Sequence, residues 1–397
     1  MRNPTAFLSV EYEELKKNEL DWKLRELQGP SSTWCIVDGK RVLMFCSNNY
    51  LGLSNHHKLK EAAIKAVQTH GAGSGSVRAI AGNMDLHEQL EKRLAKFKDA
   101  KASLVYQTGF AANAGLIPQL VGKEDIIVSD ELNHGSIIDG VRLSHADKGV
   151  YKHGNMSDLQ KVLEESEKHN PPYRRILIIT DGVFSMDGDV APLDKIANLG
   201  AEYGAMVYVD DAHGEGVLGE AGKGIVSHFK LKRDEVHVEM GTFSKAFGVV
   251  GGHVSGSQDL INFAYNKSRT WLLSGSHPPA VAAACIAAVD VLETEPNHLQ
   301  NLWRNTNYFK KAMKDLRFDI GVSTTPITPV MIGDSEIAKK LSVRLFEEGV
   351  FALPIVYPMV AKEKARIRTI MNAALTIDDL DFAINVFAKV GKELRII

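Results

Sequence analysis

Short apolar runs alternate with longer amphipathic stretches from about residue 57 to residue 240. The apolar runs predict β-strands near 102–107, 125–128, 175–180, 206–211 and 236–240. The amphipathic stretches predict helices near 58–69, 84–98, 111–121, 155–168 and 192–203. Strands that alternate with helices form crossover units, so the pattern predicts an α/β fold with a mostly parallel sheet and helices on both faces.

The two ends of the chain carry a different pattern. Spaced apolar positions between residues 5 and 27 predict an N-terminal helix. Beyond a long helical region at 278–317, strands near 326–332, 351–356 and 365–371 alternate with helices at 335–348 and 377–393. We therefore predict three parts: an N-terminal helical segment at 1–47, a large domain at 48–285 and a small C-terminal α/β domain at 286–397.

Composition narrows the class of protein. The 397 residues include 47 basic and 49 acidic side chains, a balance that does not favour nucleic-acid binding. The three cysteines have no CxxC spacing, so they predict neither a disulfide framework nor a metal site. No run approaches the roughly 20 apolar residues of a membrane span, and the N-terminus lacks a signal-peptide pattern, so we expect a cytoplasmic protein.

Polar residues follow each predicted strand of the large domain, at the edge where an open α/β sheet binds its ligand. The segment GTFSKAFGVVGG at 241–252 places Lys245 in a small, hydroxyl-rich loop directly after a strand. Burial there lowers the pKa of a lysine and frees its amine for imine chemistry. The alternative is a surface loop with an incidental lysine.

A second candidate lies at the end of the strand near 206–211. Asp210 and His213 follow alternating β-forming residues, which places the Asp210 carboxylate at the end of a buried strand. Such a carboxylate needs a partner, and a protonated pyridine nitrogen is a suitable one. The alternatives are a helix cap and a metal site shared with His213.

Two further loops complete the pattern. Gly109 and Phe110 lie at a strand-to-helix turn, where free backbone N–H groups bind phosphate, although most such turns bind nothing. His134 lies in the loop SDELNHGS, where its ring could stack on a flat cofactor or be an ordinary loop histidine. These features occur in order at successive strand ends, and together they predict a pyridoxal phosphate site.

The sequence resembles the α-oxoamine synthase family, whose members are fold-type-I pyridoxal-phosphate transferases. The likeness covers nearly the whole chain and is carried by NNYLGL, GAGSGSVR, SDELNHGSIIDG, TDGVFSMDGD, VDDAHGEGVLG, GTFSKA and ARIR. Another fold-type-I enzyme, such as an aminotransferase or lyase, would not need GAGSGS and LLSGSHPP. A non-enzymatic scaffold is disfavoured because Lys245, Asp210, His213 and His134 are all present.

The resemblance implies a role for each site residue. It implies that Lys245 binds the cofactor covalently and carries a proton, that Asp210 pairs with the ring nitrogen, and that His134 stacks on the ring. It assigns His213 and Ser185 to the phenolic oxygen, Asn48 and Arg368 to the substrate, and the backbone of Gly109 and Phe110 with the Thr242 hydroxyl to the phosphate. Family members are homodimers with shared sites, so Ser274 and Ser276 are expected to approach the partner chain's phosphate.

The resemblance also implies that the chain condenses an amino acid with an acyl-CoA. We expect glycine and acetyl-CoA, which give 2-amino-3-ketobutyrate. The alternative is alanine with pimeloyl-CoA, with loss of carbon dioxide, as in biotin synthesis, or a relaxed specificity. Three positions depart from the family pattern. Gly275 would remove one cross-subunit phosphate contact, and Met359 and the segment at 372–375 concern acyl-chain and substrate contacts. The departures leave the cofactor assignments unchanged but weaken any transfer of substrate specificity.

Overall fold

The computed structural model describes residues 3–18 and 20–397. Its strands are β1 Leu27–Gln28, β2 Trp34–Val37, β3 Lys40–Met44, β4 Ala102–Tyr106, β5 Asp125–Asp130, β6 Asp147–Tyr151, β7 Arg175–Asp181, β8 Met206–Asp210, β9 Val238–Thr242, β10 Gly252–Gly256, β11 Ile327–Gly333, β12 Val350–Phe351, β13 Leu353–Ile355 and β14 Ala365–Ile370. Its α-helices are α1 Ala6–Lys17, α2 His57–His70, α3 Asp85–Phe97, α4 Gly109–Leu120, α5 Gly135–Leu143, α6 Met156–Glu167, α7 Leu193–Glu202, α8 Ile225–His228, α9 Gln258–Lys267, α10 Arg269–Leu272, α11 Pro279–Thr294, α12 Asn297–Asp315, α13 Ser335–Glu347 and α14 Ile377–Glu393.

Seven strands form the central sheet in the order β4-β10-β9-β8-β7-β5-β6. Strand β10 is antiparallel to both of its neighbours, and the remaining pairs are parallel. Successive side chains of a strand point to opposite faces, so Ile178 and Ile179 on β7 belong to two separate apolar clusters. The sheet is therefore buried on both faces, and the predicted α/β fold is confirmed.

Two smaller sheets accompany the central one. Strands β11, β14 and β13 form an antiparallel sheet, and β1, β2, β3 and β12 form a mixed one. In the mixed sheet β3 pairs in parallel with β12, so a strand before residue 48 joins a strand near residue 350. The three predicted domain boundaries stay predictions, but this pairing links the first predicted part to the last.

The N-terminal segment differs from the expected helix over about 5–27. The helix is confined to Ala6–Lys17, none of whose side chains is buried. The following residues include three strands, and on β3 the side chains of Val42, Leu43 and Met44 are buried. Residues 27–44 therefore contribute strands to a sheet, and the prediction of a helical segment over 1–47 is corrected for this part.

Two strands of the central sheet were not predicted. Strand β6 lies at the sheet edge and is only partly buried, so its sequence lacks a continuous apolar run. Strand β10 is buried but begins and ends with glycine. A Cβ at Gly252 would lie 2.3 Å from the carbonyl oxygen of Thr108, so this strand requires a residue without a side chain. Among the described residues, no helix is both long and apolar enough to cross a membrane.

Candidate active site

The carboxyl ends of β4, β7, β8 and β9 surround one cavity of about 200 Å³. Its walls are formed by Thr108, Gly109, Phe110, His134, Ser136, Asp181, Val183, Ser185, Asp210, Ala212, His213, Met240, Thr242, Ser244 and Lys245. Residues more than 130 positions apart meet here because parallel strands end at the same edge of the sheet. The cavity thus brings together all four residues predicted to be catalytic: Lys245, Asp210, His134 and His213.

Lys245 lies in the loop after β9, with its amine inside the cavity. Burial lowers the pKa of Lys245 to about 8, against the opposing attraction of Asp210 and Asp181. An ordinary lysine has a pKa near 10.4, so a much larger fraction of this amine is neutral at physiological pH. A neutral amine is a nucleophile and a base, which is the chemistry that the sequence predicted for this position.

Asp210 is the last residue of β8, and both of its carboxylate oxygens are held in place. Oδ2 accepts a hydrogen bond from Nδ2 of Asn113 at 2.8 Å, and Oδ1 accepts one from the backbone N–H of Ala212 at 3.0 Å. Asn113 is in turn fixed by the hydroxyl of Tyr208, which donates to its Oδ1 at 2.8 Å. Each carboxylate oxygen keeps a free lone pair, so a protonated ring nitrogen can bind to Asp210 without displacing these contacts.

His134 is the N-cap of α5 and forms one wall of the cavity. Its Nδ1 lies 2.8 Å from the hydroxyl of Ser136, and its backbone N–H donates to Asp181 Oδ2 at 2.8 Å. Burial lowers the pKa of His134, although Asp210 opposes the shift. The ring is therefore neutral and fixed at one edge, with its flat face available for stacking on an aromatic cofactor.

His213 is buried beside the same cavity, and its Nδ1 lies 2.8 Å from the hydroxyl of Tyr50. Burial lowers the pKa of His213 well below its ordinary value, and the charges of Lys245 and Arg368 act in the same direction. A neutral imidazole that accepts a hydrogen bond from the Tyr50 hydroxyl at Nδ1 carries its own proton at Nε2. This tautomer can donate to an oxygen atom of a ligand in the cavity.

The predicted phosphate site lies at the N-terminus of α4. The Thr108 side chain caps this helix by accepting from the N–H of Ala111 at 3.0 Å, which leaves the N–H groups of Gly109 and Phe110 for a ligand. Thr242 Oγ1 lies in the same cavity and donates to the carbonyl oxygen of Gly251 at 2.7 Å. Thr242 must therefore turn its hydroxyl if it is to donate to a phosphate.

Ser274 and Ser276 do not reach this cavity within one chain. The hydroxyl of Ser276 lies 2.6 Å from that of Ser74, and the neighbouring Gly275 pairs with Val77 in an isolated β-bridge. This contact joins the GAGSGS and LLSGSHPP segments, the two segments that another fold-type-I enzyme would not need. Their predicted role concerns the partner chain and stays a prediction.

Arg368 and Arg366 lie on the same face of β14 but have different environments. Arg368 donates from Nε to the carbonyl oxygen of Ser185 at 2.6 Å and from Nη2 to Oδ1 of Asn48 at 3.2 Å. Arg366 forms an ion pair with Asp187. In residues 3–18 and 20–397, no carboxylate pairs with Arg368, so its guanidinium retains a free pair of donors for an anionic substrate.

A second cavity of about 380 Å³ adjoins the first and shares His134, Asp181 and Ser185 with it. The walls of this second cavity include Phe184, Met186, Met331, Met359, Val360, Lys364 and Arg366. Apolar side chains therefore extend away from the reacting groups, with two cationic residues among them. The two adjacent cavities offer space for a small polar ligand and for an apolar chain.

Comparison with known proteins agrees with this geometry. A sequence model of the family "Aminotransferase class I and II" matches residues 40–387. The 8-amino-7-oxononanoate synthase of Symbiobacterium thermophilum is 53% identical over 99% of both chains, and synthase 1 of Bacillus subtilis is 51% identical over 100% of both. The solved structure of the serine palmitoyltransferase SPT with its PLP internal aldimine is 26% identical, with a TM-score of 0.93 over 100% of both chains.

The chain belongs to the α-oxoamine synthase family of fold-type-I enzymes. Its cofactor is pyridoxal 5'-phosphate, as predicted. The cavity fits this cofactor, because an α-oxoamine synthase needs a fixed carboxylate for the ring nitrogen, an amine for the aldehyde and helix N–H groups for the phosphate. Asp210, Lys245 and the first turn of α4 supply these groups around one space.

Sequence reasoning missed four residues of this α-oxoamine synthase site. Asn113 donates to Asp210, and the hydroxyl of Ser136 contacts Nδ1 of His134. The hydroxyl of Tyr50 contacts Nδ1 of His213, and Asp181 accepts a hydrogen bond from the backbone N–H of His134. Burial raises the pKa of Asp181 well above its ordinary value, and the charge of Asp210 acts in the same direction. The strings that carried the resemblance contain Tyr50, Ser136 and Asp181, but nothing in the local pattern separates these residues from their neighbours.

Proposed function

We propose that the chain catalyses the condensation of L-alanine with pimeloyl-CoA, which yields 8-amino-7-oxononanoate, carbon dioxide and CoA. The observation that carries the proposal is the 49–54% identity to eight relatives of that name over at least 96% of this chain. We had expected glycine and acetyl-CoA, the substrates of glycine C-acetyltransferase. The relatives support the alternative with alanine and pimeloyl-CoA better than that expectation.

The second cavity supports a long acyl group. Pimeloyl-CoA carries five methylene groups between its thioester carbonyl and its terminal carboxylate, whereas an acetyl group has none. Phe184, Met331 and Met359 offer an apolar surface for such a chain, and methionine adapts to an extended ligand because its side chain is flexible. The cationic side chain of Lys364 lies in the same wall, where it can attract the terminal carboxylate.

The site residues divide the chemistry between them in this proposal. Pyridoxal phosphate, when bound, stabilises the negative charge that develops at the α-carbon of the amino acid. Asp210 would keep the ring nitrogen charged, His134 would stack on the ring, and His213 and Ser185 would hydrogen-bond near the phenolic oxygen. Nζ of Lys245 takes the α-proton, for which a pKa of about 8 is well matched to neutral pH.

Binding of the amino acid is assigned to Arg368 and Asn48. The buried guanidinium of Arg368 has no carboxylate partner in the described part of the chain, and its two remaining donors match the α-carboxylate of alanine. Asn48 orients the guanidinium by accepting a hydrogen bond from Nη2. Decarboxylation then removes the carboxylate that Arg368 holds, which releases the anchor before the product leaves.

The active unit in this proposal is a homodimer with shared sites. Ser274 and Ser276 lie outside the cavity of their own chain, and exposed apolar side chains on α1, among them Phe7, Leu8 and Val10, are available for a second copy. If Ser274 and Ser276 hold the partner's phosphate, changing both to alanine should weaken cofactor binding without changing the dimer. Cofactor titration and sedimentation of the same samples measure the two effects.

The substrate assignment is tested by a grid of thiol-release assays. Glycine, alanine and serine are each combined with acetyl-, pimeloyl- and palmitoyl-CoA, and the products are identified by mass spectrometry. We expect the highest kcat/KM for alanine with pimeloyl-CoA, and no release of CoA by Lys245→Ala. A higher kcat/KM for glycine with acetyl-CoA would contradict the proposal and restore the first expectation.

A further inference from the structure

A cluster of two histidines and a glutamate lies outside the active site, where three elements meet. His56 precedes α2, Glu295 is the C-cap of α11, and His298 lies in the first turn of α12. Their ligand atoms all lie within 4.8 Å of one another. Glu295 Oε2 lies 3.3 Å from Nε2 of His298 and 3.6 Å from Nε2 of His56. This is a compact group of three potential metal ligands.

The hydrogen bonds of His298 determine which of its nitrogens is free. Its Nδ1 lies 3.2 Å from the carbonyl oxygen of Leu51, and a carbonyl can only accept, so Nδ1 carries a proton. A neutral His298 then presents the lone pair of Nε2 to a carboxylate oxygen of Glu295 at 3.3 Å. Two lone pairs facing each other repel, so a cation between them is needed: either a second proton on His298 or a metal ion.

His56 adds a second argument. In the described part of the chain, neither nitrogen of His56 has a hydrogen-bond partner, and its Nδ1 is buried. A largely buried imidazole without hydrogen bonds loses the contacts it had with water. Ligation of a metal ion through Nε2, which lies 3.6 Å from Glu295 Oε2, would give this nitrogen a partner, whereas a second proton on His298 would leave Nε2 without one. The buried Nδ1 is unpaired in both cases.

Two of the three distances are close to those of a tetrahedral site. Zinc binds histidine nitrogen at about 2.0–2.1 Å and carboxylate oxygen at about 2.0–2.2 Å, so neighbouring ligand atoms in a tetrahedron lie about 3.3–3.4 Å apart. Two of the three separations here, 3.3 and 3.6 Å, are close to that value. The Leu51 carbonyl supplies the outer hydrogen bond that fixes a ligating histidine in protein metal sites.

We propose that His56, Glu295 and His298 bind a divalent transition-metal ion of the zinc class, with water as the fourth ligand. Lys58 does not occupy the ligating oxygen, because its Nζ contacts the other oxygen, Oε1, at 2.6 Å. The nearby ammonium group nevertheless repels a metal ion. Removal of this charge by Lys58→Met should therefore tighten metal binding by about fivefold or more.

The position of the site gives it a structural role. Leu51, which holds His298, belongs to the segment 48–51 that also contains Asn48 and Tyr50. Asn48 contacts Arg368 and Tyr50 contacts His213 in the active site. A metal ion would join the start of α2 to the α11–α12 junction and so restrain this segment. It touches no reacting group, so we expect an effect on stability and not a requirement for catalysis.

The test is calorimetric titration of the chelator-treated holoenzyme with zinc chloride. We expect one site per chain, which is lost in His298→Gln and in His56→Gln and retained in His57→Gln, whose exposed imidazole is a neighbouring control. Zinc should also raise the melting temperature of the wild type and of His57→Gln, but not of the two ligand variants. Circular dichroism of each metal-free variant checks that it is folded.

Three results would overturn the assignment. Absence of zinc binding by the wild type would show that the three side chains do not form a metal site. Binding that persists in both His298→Gln and His56→Gln would place the metal elsewhere. Loss of binding in the His57→Gln control would mean that the ligand set is wrong.

Discussion

The two arginines of β14 should affect different properties when each is changed to lysine. Arg368 and Arg366 share a strand face, and both are largely buried, so sequence position alone does not separate them. In the structure Arg368 has free donors beside the active-site cavity, whereas Arg366 is paired with Asp187 and donates to the carbonyl oxygens of Lys364 and Met186. Arg368→Lys should therefore impair substrate binding, and Arg366→Lys should impair stability.

The magnitudes follow from the contacts that each lysine loses. A lysine at 368 cannot reproduce the pair of parallel hydrogen bonds to a carboxylate, and one charge-assisted hydrogen bond contributes about 1.5–3 kcal/mol. The KM for alanine should rise about 10- to 100-fold, with a much smaller change in kcat. A lysine at 366 keeps its charge near Asp187 but loses hydrogen bonds to backbone oxygens, so the free energy of unfolding should fall by about 1–3 kcal/mol.

Steady-state kinetics at saturating pimeloyl-CoA give the KM for alanine, and urea unfolding of the same preparations gives the stability. The visible absorption of the bound cofactor is the control, since neither arginine contacts the cofactor cavity directly. Equal increases in KM for both variants, or an unchanged KM for Arg368→Lys, would refute the assignment of the α-carboxylate to Arg368.

Four other measurements test the remaining roles. Lys245→Ala should lose turnover, and borohydride reduction should no longer attach pyridoxyl to the chain; a label on another lysine would contradict the assignment. Asp210→Asn should bind the cofactor but exchange the α-proton of alanine for deuterium much more slowly, so an unchanged exchange rate would exclude a role for the carboxylate. Burial lowers the pKa of Lys245 to about 8, so the rate of covalent attachment of pyridoxal phosphate to the apoenzyme should rise with pH and level off above pH 8. A rate that continues to rise up to pH 10 would indicate an amine with an ordinary pKa. Lys98 is fully buried, and its Nζ lies 2.6 Å from Glu239 and 3.1 Å from Glu215. Lys98→Met leaves these carboxylates without their cation, so the free energy of unfolding, measured by urea denaturation, should fall by about 3–5 kcal/mol. A decrease below about 1 kcal/mol would show that the carboxylates are neutralised in another way.

The central strands of the large domain could be predicted from the sequence because a strand that is buried on both faces consists of a continuous run of apolar residues. Strands β5, β7, β8 and β9 lie inside the sheet, so each appears as an apolar run, and all four were predicted within a few residues. Strand β6 at the edge and the glycine-bounded β10 lack this signal and were missed. In the N-terminal segment, apolar spacing over about 5–27 predicted a helix, and the structure confines it to Ala6–Lys17. Residues 27–44, which were assigned to the same helical segment at 1–47, contain strands instead, one of which pairs with the distant β12.

The candidate site divides in the same way. The sequence by itself determined which residues follow the buried strands, so it could be predicted that Asp210, His134 and Lys245 lie close together. Their chemical roles stay predictions. Only the tertiary structure decided what holds them, since Asn113 binds Asp210 across 97 positions and Tyr50 binds His213 across 163. Among the residues that the structure describes, it also gave Arg366 a carboxylate partner and left Arg368 without one. The periodicity of a strand predicts the face on which a side chain lies. The partner of that side chain comes from another part of the chain, so the local sequence cannot predict the contact.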